Sequence, residues 1–439
     1  MSPLVALALV ALALFGAPLF AVLGASGIAN FSSVDTPLVV MSEEHYKLAT
    51  NPHLITIPLF TLSGFLMAES KAADRLVKVS RALLGWLPGG LGIVVVASCA
   101  FFTTFTGASG VTIIALGGLL YPILLSEKYP DRFSLGLITS SGSIGLLFPP
   151  SLPIILYGIV SGASIDKLFV AGIIPGAIFL LVLGGFSLWV GRKHQVNRTK
   201  FDLREALSAM WLAKWELLVP VVVLVAIYGI PGLTKGLVTI AEASAICALY
   251  LVIIEVFVYK DIKLFSRDPE ATDLYKVIRE SIVMVGAIMI ILGVALGLTN
   301  YLVQEEVPMK ILAAIQDRIT SRFTFLVLLT IFLLIVGCLM DIFSAIIVVV
   351  PLITPIAEVY DVDPIHLGII FLANLEIGYI TPPVGLNLFI SSLAFGRPVV
   401  QLYRMALPFL LLMLAALLVI TFNPELSLWL VELMDNAGK

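Results

Sequence analysis

Long apolar stretches, separated by short polar segments, recur along almost the whole chain. Several of them exceed the roughly 18 residues that suggest a membrane-spanning helix. The stretches cover residues 3–25, 89–105, 168–191, 237–258, 277–298, 323–339 and 405–422. The pattern predicts an all-α polytopic membrane protein. No basic segment precedes the first apolar run, so residues 1–25 are predicted to form a membrane helix rather than a signal peptide.

Composition supports this class. Apolar residues make up 60% and charged residues 13% of the chain, whereas soluble domains carry about 25% charged residues. The three cysteines lie in apolar stretches and are predicted to be free thiols. The four histidines form no metal-ligand spacing, and the sequence has no Gly-x-x-x-x-Gly-Lys phosphate loop. An enzyme, ATP-driven transport and a nucleic-acid partner are therefore not expected.

A second pattern is an internal repeat with a fixed offset. Pro122 and Pro355 lie 233 positions apart, and no gap is needed to align other prolines and glycines at the same offset. The further matches are Pro149-Pro150 with Pro382-Pro383, Pro175 with Pro408, Gly64 with Gly297, and Gly145 with Gly378. Residues 44–190 and 277–423 are therefore predicted to be two copies of one unit. Paired, Pro-interrupted apolar segments of this kind point to a transporter's binding site.

Corresponding loops of the two copies carry opposite charge. Segments 192–204, 69–81 and 259–279 contain five, four and five basic residues. Their counterparts 425–437, 302–314 and 26–46 contain none, one and none. Because cytoplasmic loops carry excess Lys and Arg, the two copies are predicted to cross the bilayer in opposite orientations, with the basic segments in the cytoplasm. The predicted organisation is a first repeat over 1–191, a cytoplasmic linker with a connecting helix over 192–236, and a second repeat over 237–439.

Segment 69–81 predicts an interfacial amphipathic helix. Lys71, Arg75 and Lys78 follow one another at helical spacing and share one face. A charged loop is the alternative.

Each copy has a break between two short apolar stretches. Residues 106–110 interrupt the segment 89–125, and residues 337–341 interrupt 323–357. Glycine lets the backbone turn at these positions. Each segment is predicted to be a helical hairpin that returns to the side it entered from. Two full spans, or a Gly-rich packing face, remain alternatives.

Each copy also has a double proline inside an apolar segment. Pro149-Pro150 and Pro382-Pro383 are predicted to unwind the helices over 133–162 and 364–395, because proline lacks the backbone donor and pushes its predecessor out of the α region. The freed carbonyls can coordinate a cation, and the new helix N-terminus can face an anion. A simple kink is the alternative.

Charges within apolar segments are expensive and usually functional. Glu242, Asp341 and Glu376 are the three that we select. Asp341 is predicted to bind a cation or to hold the hairpin tip, Glu376 to line a substrate path, and Glu242 to be either functional or interfacial.

Several of these stretches resemble the large membrane subunit of TRAP (tripartite ATP-independent periplasmic) transporters. They are Ile57–Phe60 with Gly64, Leu87–Leu91, Gly107–Pro122, Gly145–Pro153, Leu168–Gly176, Asp341, Pro351, Pro355, Asp363-Pro364 and Gly378–Leu388. The resemblance implies an elevator-type inverted-repeat fold, uptake of an organic acid driven by Na⁺, and a bacterial or archaeal inner membrane. It also implies two partners, a small four-helix membrane subunit and a periplasmic substrate-binding protein.

The resemblance also implies site residues. Those of the two sodium sites are Gly107, Ser109, Ser141 and Gly145, and Gly337, Asp341, Asn374, Gly378 and Thr381. Those of the substrate site are Ser143, Ser151, Glu376 and Asn387. Val111 and Glu376 depart from the usual family pattern. The main alternative function is a single-chain sodium–carboxylate symporter that needs no binding protein, and the identity of the acid stays open.

Overall fold

The computed structural model describes residues 7–9, 11–12, 17–33, 37–196, 201–229, 236, 238–266, 272–315, 319 and 321–437. Within these ranges the chain is helical and contains no β-strand. Residues 1–6, 10 and 13–16 of the predicted first helix, and 197–200 and 230–235 of the predicted linker, lie outside the described residues.

From residue 17 onward, the described part of the chain has eleven helices before the connecting helix. They are α1 (Leu19–Ser33), α2 (Val39–Ala49), α3 (Thr56–Glu69), α4 (Ala72–Leu84), α5 (Gly90–Thr106), α6 (Ser109–Ser126), α7 (Asp131–Ser141), α8 (Leu152–Ser161), α9 (Ile165–Ala171), α10 (Ile173–Lys193) and α11 (Leu203–Leu212). A 3₁₀ turn, Ile144–Leu147, lies between α7 and α8.

The described part of the second half is also helical. Its helices are α12 (Lys214–Tyr228), α13 (Ile240–Val252), α14 (Leu274–Gln304), α15 (Val307–Ile315), α16 (Arg322–Leu339), α17 (Ile342–Val359), α18 (Pro364–Gly378), α19 (Leu386–Phe395), α20 (Val399–Phe422) and α21 (Glu425–Ala437). A π-helical turn, Ile253–Val258, continues α13. Seven helices among the described residues are long and apolar enough to cross a membrane, which confirms the polytopic class.

The helices of the two halves follow the 233-residue offset. Helix α6 spans 109–126 and α17 spans 342–359, so both ends coincide after the shift. The bounds of α5 and α16, and of α8 and α19, agree to within one residue, and α7 and α18 begin at equivalent positions. The repeat seen in the prolines and glycines is therefore a repeat of whole helices.

Both double prolines interrupt a helix, as predicted. In the first break, residues 142–151, the axis turns by 47° between the segment Asp131–Leu147 and α8. The second break, residues 379–385, separates α18 from α19. Pro149-Pro150 and Pro382-Pro383 each have a cis peptide bond.

The predicted hairpins also break at the expected positions. Gly107 ends α5 with a φ of 61°, in the left-handed region that glycine tolerates, and Met340 and Asp341 separate α16 from α17. Helices α16 and α17 have 18 residues each, or about 27 Å, close to the roughly 30 Å of a bilayer core. Re-entrant hairpins and full spans both fit this length, so the re-entrant reading stays a prediction.

Helices of each copy pack against helices of the other copy. Helix α17 packs against α8 of the other copy, and its counterpart α6 packs against α19. Helices α16 and α18 also pack along each other. The hairpins and the broken helices therefore form one interlocked body.

Helix α4 corrects one prediction. It has an apolar and a polar face, and Lys71 and Lys78 are exposed, but Arg75 is only 7% exposed. The three basic residues therefore do not share one exposed face, because Arg75 turns inward to buried carboxylates.

Candidate functional site

The centre of the interlocked body is a buried cluster of polar side chains. The hydroxyl of Ser109, at the first hairpin tip, donates to the side-chain oxygen of Asn387, 2.7 Å away. The Asn387 amide donates to the carbonyl of Thr139 at 3.3 Å and to the Ser143 hydroxyl at 3.5 Å. All of these side chains are buried. The fold thus brings together residues that the sequence placed in both a sodium site and the substrate site.

Two equivalent positions of the repeat meet beside this cluster. The Ser143 hydroxyl donates to the backbone carbonyl of Glu376 at 3.4 Å, and the two residues are 233 positions apart. Equivalent residues of two copies touch only near the axis that relates the copies. The buried polar cluster therefore lies close to the internal symmetry axis.

Several buried polar atoms of α7, α18 and the first break have no hydrogen-bond partner among the described residues. Both carboxylate oxygens of Glu376 belong to this set, although the side chain lies close to the backbone of Leu147. The others are the hydroxyls of Ser140 and Ser151 and the side-chain oxygen of Asn374. Buried polar atoms are normally paired. This part of the interior can therefore bind a polar ligand or an ion.

Threonines hold the first break. The carbonyls freed there accept hydrogen bonds from α5. Thr103 donates to Gly142 O at 2.8 Å, and the Thr104 hydroxyl is shared between Gly145 O at 3.1 Å and Ala100 O of its own helix at 2.8 Å. A Cβ on Gly145 would lie 2.2 Å from the carbonyl oxygen of Ala100, so only glycine fits. We did not predict the threonines, although the hydroxyl-rich stretch 103–106 inside an apolar run was an available signal.

Backbone contacts hold the second break. A Cβ on Gly378 would lie 2.6 Å from the Cα of Gly337, so these two predicted site glycines are in direct contact. The N–H of Gly385 donates to the carbonyl of Cys338 at 3.1 Å. The N–H of Ile342 donates to the hydroxyl of Tyr379 at 2.6 Å. The second hairpin tip is thus fastened to the second break on both sides.

Other predicted site residues do not converge. Asp341 caps α17, accepting from the N–H groups of Phe343 and Ser344 at 3.0 and 3.1 Å. The side chains of Ser141 and Asn374 donate to carbonyls of their own helices, and Thr381, in the second break, donates to the carbonyl of Ile377 in α18. Gly107 packs against Leu152, after the first break. Ser151 and Asn387 are both buried, but they share no hydrogen bond in the structure.

Glu242 has a structural role. It forms a capping box with Thr239 at the start of α13, and its side chain is exposed. Glu255, in the same apolar stretch, is fully buried and was not predicted.

An apolar cavity of about 370 Å³ borders the first break at Phe148 and Pro149. Its lining suits an acyl chain better than an anion. The polar cluster around Ser109 and Asn387 therefore remains the candidate site.

These features define a class. A multi-pass helical protein that consists of a repeated unit, with broken helices around buried polar groups, has the architecture of a membrane transporter. The family model described as "Tripartite ATP-independent periplasmic transporter, DctM component" matches residues 5–426. The chain therefore belongs to this family of transporter permeases and is not an enzyme.

Curated relatives agree. The chain is 33% identical over 417 residues to the isethionate TRAP transporter permease protein DctMQ of Oleidesulfovibrio alaskensis, covering 94% of this chain and 64% of that protein. It is 35% identical to the C4-dicarboxylate TRAP transporter large permease protein DctM of Pseudomonas aeruginosa, covering 88% and 86%. With the ectoine TRAP transporter large permease protein TeaC of Halomonas elongata it shares 30% identity, covering 99% of each chain.

A solved structure shows a similar fold. The crystal structure of the Alcanivorax borkumensis YdaH transporter aligns with a TM-score of 0.61 and 13% sequence identity, covering 87% of this chain and 86% of that one. At this identity the likeness concerns the fold alone.

Proposed function

We propose that this chain is the large membrane subunit of a sodium-driven importer for a small organic acid. It works in an inner membrane with a small four-helix membrane subunit and a periplasmic substrate-binding protein. Support comes from the family and from the relatives' names, which specify C4-dicarboxylate, isethionate and ectoine. Each of these solutes carries a carboxylate or a sulfonate group.

The observation that carries the proposal is the buried contact between the first hairpin tip and the second broken helix. The hydroxyls of Ser109 and Ser143 and the amide of Asn387 offer hydrogen bonds that an organic anion requires. Hydroxyl and freed carbonyl oxygens of the two breaks are hard ligands that suit Na⁺. Anion and cation sites would then lie side by side.

Adjacent sites of opposite charge couple the two ligands. Bound Na⁺ orders the hairpin tips and adds positive charge, which strengthens anion binding between them. The coupling is reciprocal, so the anion must raise the affinity for Na⁺ by the same factor.

The proposed motion is an elevator movement. The hairpins and broken helices pack into each other across the two copies, and this body would move as a unit against the remaining helices. Helix α4, which connects α3 to α5, would link the two parts.

Support for the small subunit comes from the DctMQ relative. This chain covers only 64% of that protein, so the relative contains a further part.

Reconstitution tests the proposal. Proteoliposomes containing this chain, its candidate small subunit and the neighbouring binding protein would be offered labelled organic acids under an inward Na⁺ gradient. Matched samples receive only a proton gradient, or lack the binding protein. Uptake that needs both Na⁺ and the binding protein is expected. Sodium-driven uptake by the chain alone would contradict the tripartite assembly and favour the single-chain symporter.

A further inference from the structure

A buried cluster of charged side chains lies away from the candidate site. The Arg75 guanidinium, on α4, contacts three carboxylates from other elements. It donates to Glu216 through Nε, to Glu255 at 3.1 Å and to Asp261 at 2.6 Å. The cluster therefore ties α4 to α12 and to the π-helical turn after α13.

The charges in the cluster do not balance. Burial alone would lower the pKa of Arg75, but Glu216, Asp261 and Glu255 raise it above its ordinary value, so the guanidinium stays charged. Its carbon also lies 3.9 Å from the centre of the Tyr259 ring. Lys71 contributes only its backbone N–H, because its side chain is exposed. Three ionised carboxylates would leave two negative charges uncompensated.

Two of the three carboxylates have further stabilisation as anions. Glu216 lies in the first turn of α12, and the Tyr259 hydroxyl lies 2.9 Å from its Oε2 and 2.5 Å from the carbonyl oxygen of Leu212. Asp261 accepts the Lys71 N–H at the start of α4, at 3.1 Å. Helix N-termini favour negative charge.

Glu255 has no such support. It lies within the π-helical turn, its side chain is 0% exposed, and its Oε1 has no hydrogen-bond partner among the described residues. The charged groups that face it are Arg75 on α4, Glu216 on α12 and Asp261 in the following loop. The Ser70 hydroxyl lies beside it and favours the ionised form, but this hydroxyl also donates to the carbonyl of Met67 at 3.1 Å. An ionised carboxylate with an unpaired oxygen in such a place is costly.

We propose that this cluster is a proton-binding site and that Glu255 holds the proton as a neutral carboxylic acid. Protonation removes one buried negative charge and turns the unpaired oxygen into a donor that Ser70 can accept. Single π-helical turns inside α-helices are frequent at functional sites, and Glu255 lies in one. The proposal is independent of which solute the protein transports.

The proton controls how firmly the elements around Arg75 are held together. When Glu255 releases it, a second uncompensated negative charge appears, and the elements that carry Glu216, Glu255 and Asp261 repel one another. The folded protein then binds more protons at Glu255 than the unfolded chain, whose glutamate ionises at an ordinary pH. Stability must therefore fall as the pH rises from mildly acidic to alkaline.

Matched amide variants provide the test. Glutamine imitates a neutral carboxylic acid, so Glu255→Gln should retain the melting temperature of the purified protein in lipid nanodiscs and remove its fall at alkaline pH. Glu216→Gln replaces an anion that Arg75 needs, and should lower the melting temperature by about 5 °C or more. The opposite order of the two variants would overturn the proposal.

Infrared spectroscopy gives a second readout that does not depend on stability. A pH-difference spectrum of the wild-type protein should contain the carbonyl stretch of a protonated carboxyl group, and the part of that band that belongs to Glu255 should be missing in Glu255→Gln. A remaining part would belong to other buried carboxyl groups such as Glu376. An unchanged band in Glu255→Gln, or none in the wild type, would show that Glu255 is ionised.

Discussion

The two helix breaks have the same backbone plan and different surroundings. Each contains a cis Pro-Pro pair at equivalent positions. In the first break nearly every residue is buried, and Pro149 and Pro150 are covered. In the second break Pro382, Pro383 and Val384 are exposed, Val384 by 39%.

The difference extends to the contacts. Thr104 donates to the carbonyl of Gly145, whereas the position equivalent to Thr104 in the second copy is Gly337, which has no side chain. In the second copy the contact is instead between the backbones of Gly337 and Gly378. The duplicated unit thus preserves where the helices break, while its side chains decide how tightly each break is held. The first break is the fixed half of the site, and the second is its open half.

Restoring a continuous helix at the breaks should have the largest effect on uptake. Replacing Pro149-Pro150 by two alanines restores helix-forming residues and should join α7 to α8. Uptake in proteoliposomes is expected to fall to background while the protein stays in the membrane. Because the first break is buried, this variant should also yield less folded protein than the same change at Pro382-Pro383. Retained uptake in the first variant would show that the break is not needed for transport.

Substitutions of the glycines at the breaks should have the next largest effect. Gly145→Ala places a Cβ 2.2 Å from Ala100 O, and Gly378→Ala places one 2.5 Å from the carbonyl carbon of Gly337. Each overlap with rigid backbone should lower the free energy of unfolding by about 1–3 kcal/mol. Gly118→Ala is the control, because nothing lies within 4 Å of its added Cβ. Thermal unfolding in detergent would measure all three, and equal losses at Gly118 would contradict the packing argument.

Removing one hydroxyl should have a smaller effect. Thr104→Val keeps the shape of the side chain but takes away the hydroxyl that is shared between Gly145 O and Ala100 O. Gly145 O retains the N–H of Phe148. A loss of about 1 kcal/mol in unfolding free energy is expected. Thr381→Val is the matched change at the second break, where the hydroxyl donates only to the carbonyl of Ile377, four residues earlier. Thr381→Val should lower the unfolding free energy by less than Thr104→Val does. A greater loss for Thr381→Val would mean that the second break, not the first, is the fixed half of the site.

The sequence predicted what proline and glycine do to their own backbone. Both breaks, the first hairpin tip and the repeat of helices are where these residues stand, and the second tip lies three residues after Gly337. Proximity between distant side chains was not predictable in this way. Ser109 and Asn387 are 278 positions apart, and only the resemblance to a family placed both near a ligand.

The position of Arg75 shows the same limit. Its helical spacing with Lys71 and Lys78 indicated an exposed face, yet its partners Glu216 and Glu255 lie 141 and 180 positions away. Local periodicity does not show whether another helix covers a face. Glu255 could have been found, because a charge inside the apolar stretch 237–258 is itself a signal.

The smallest expected difference between the two halves of the site concerns Asp341. Its equivalent at the first hairpin tip is Ala108, so only the second tip carries a carboxylate. Asp341 caps α17, and asparagine caps helices equally well, so Asp341→Asn should change the unfolding free energy by less than about 0.5 kcal/mol. Asp341→Ala, which removes the cap, should cost about 1 kcal/mol. If the carboxylate also binds Na⁺, the asparagine variant needs a higher Na⁺ concentration for half-maximal uptake despite its normal stability. An unchanged Na⁺ dependence in that variant would restrict Asp341 to capping, and the charge difference between the tips would then have no part in ion binding.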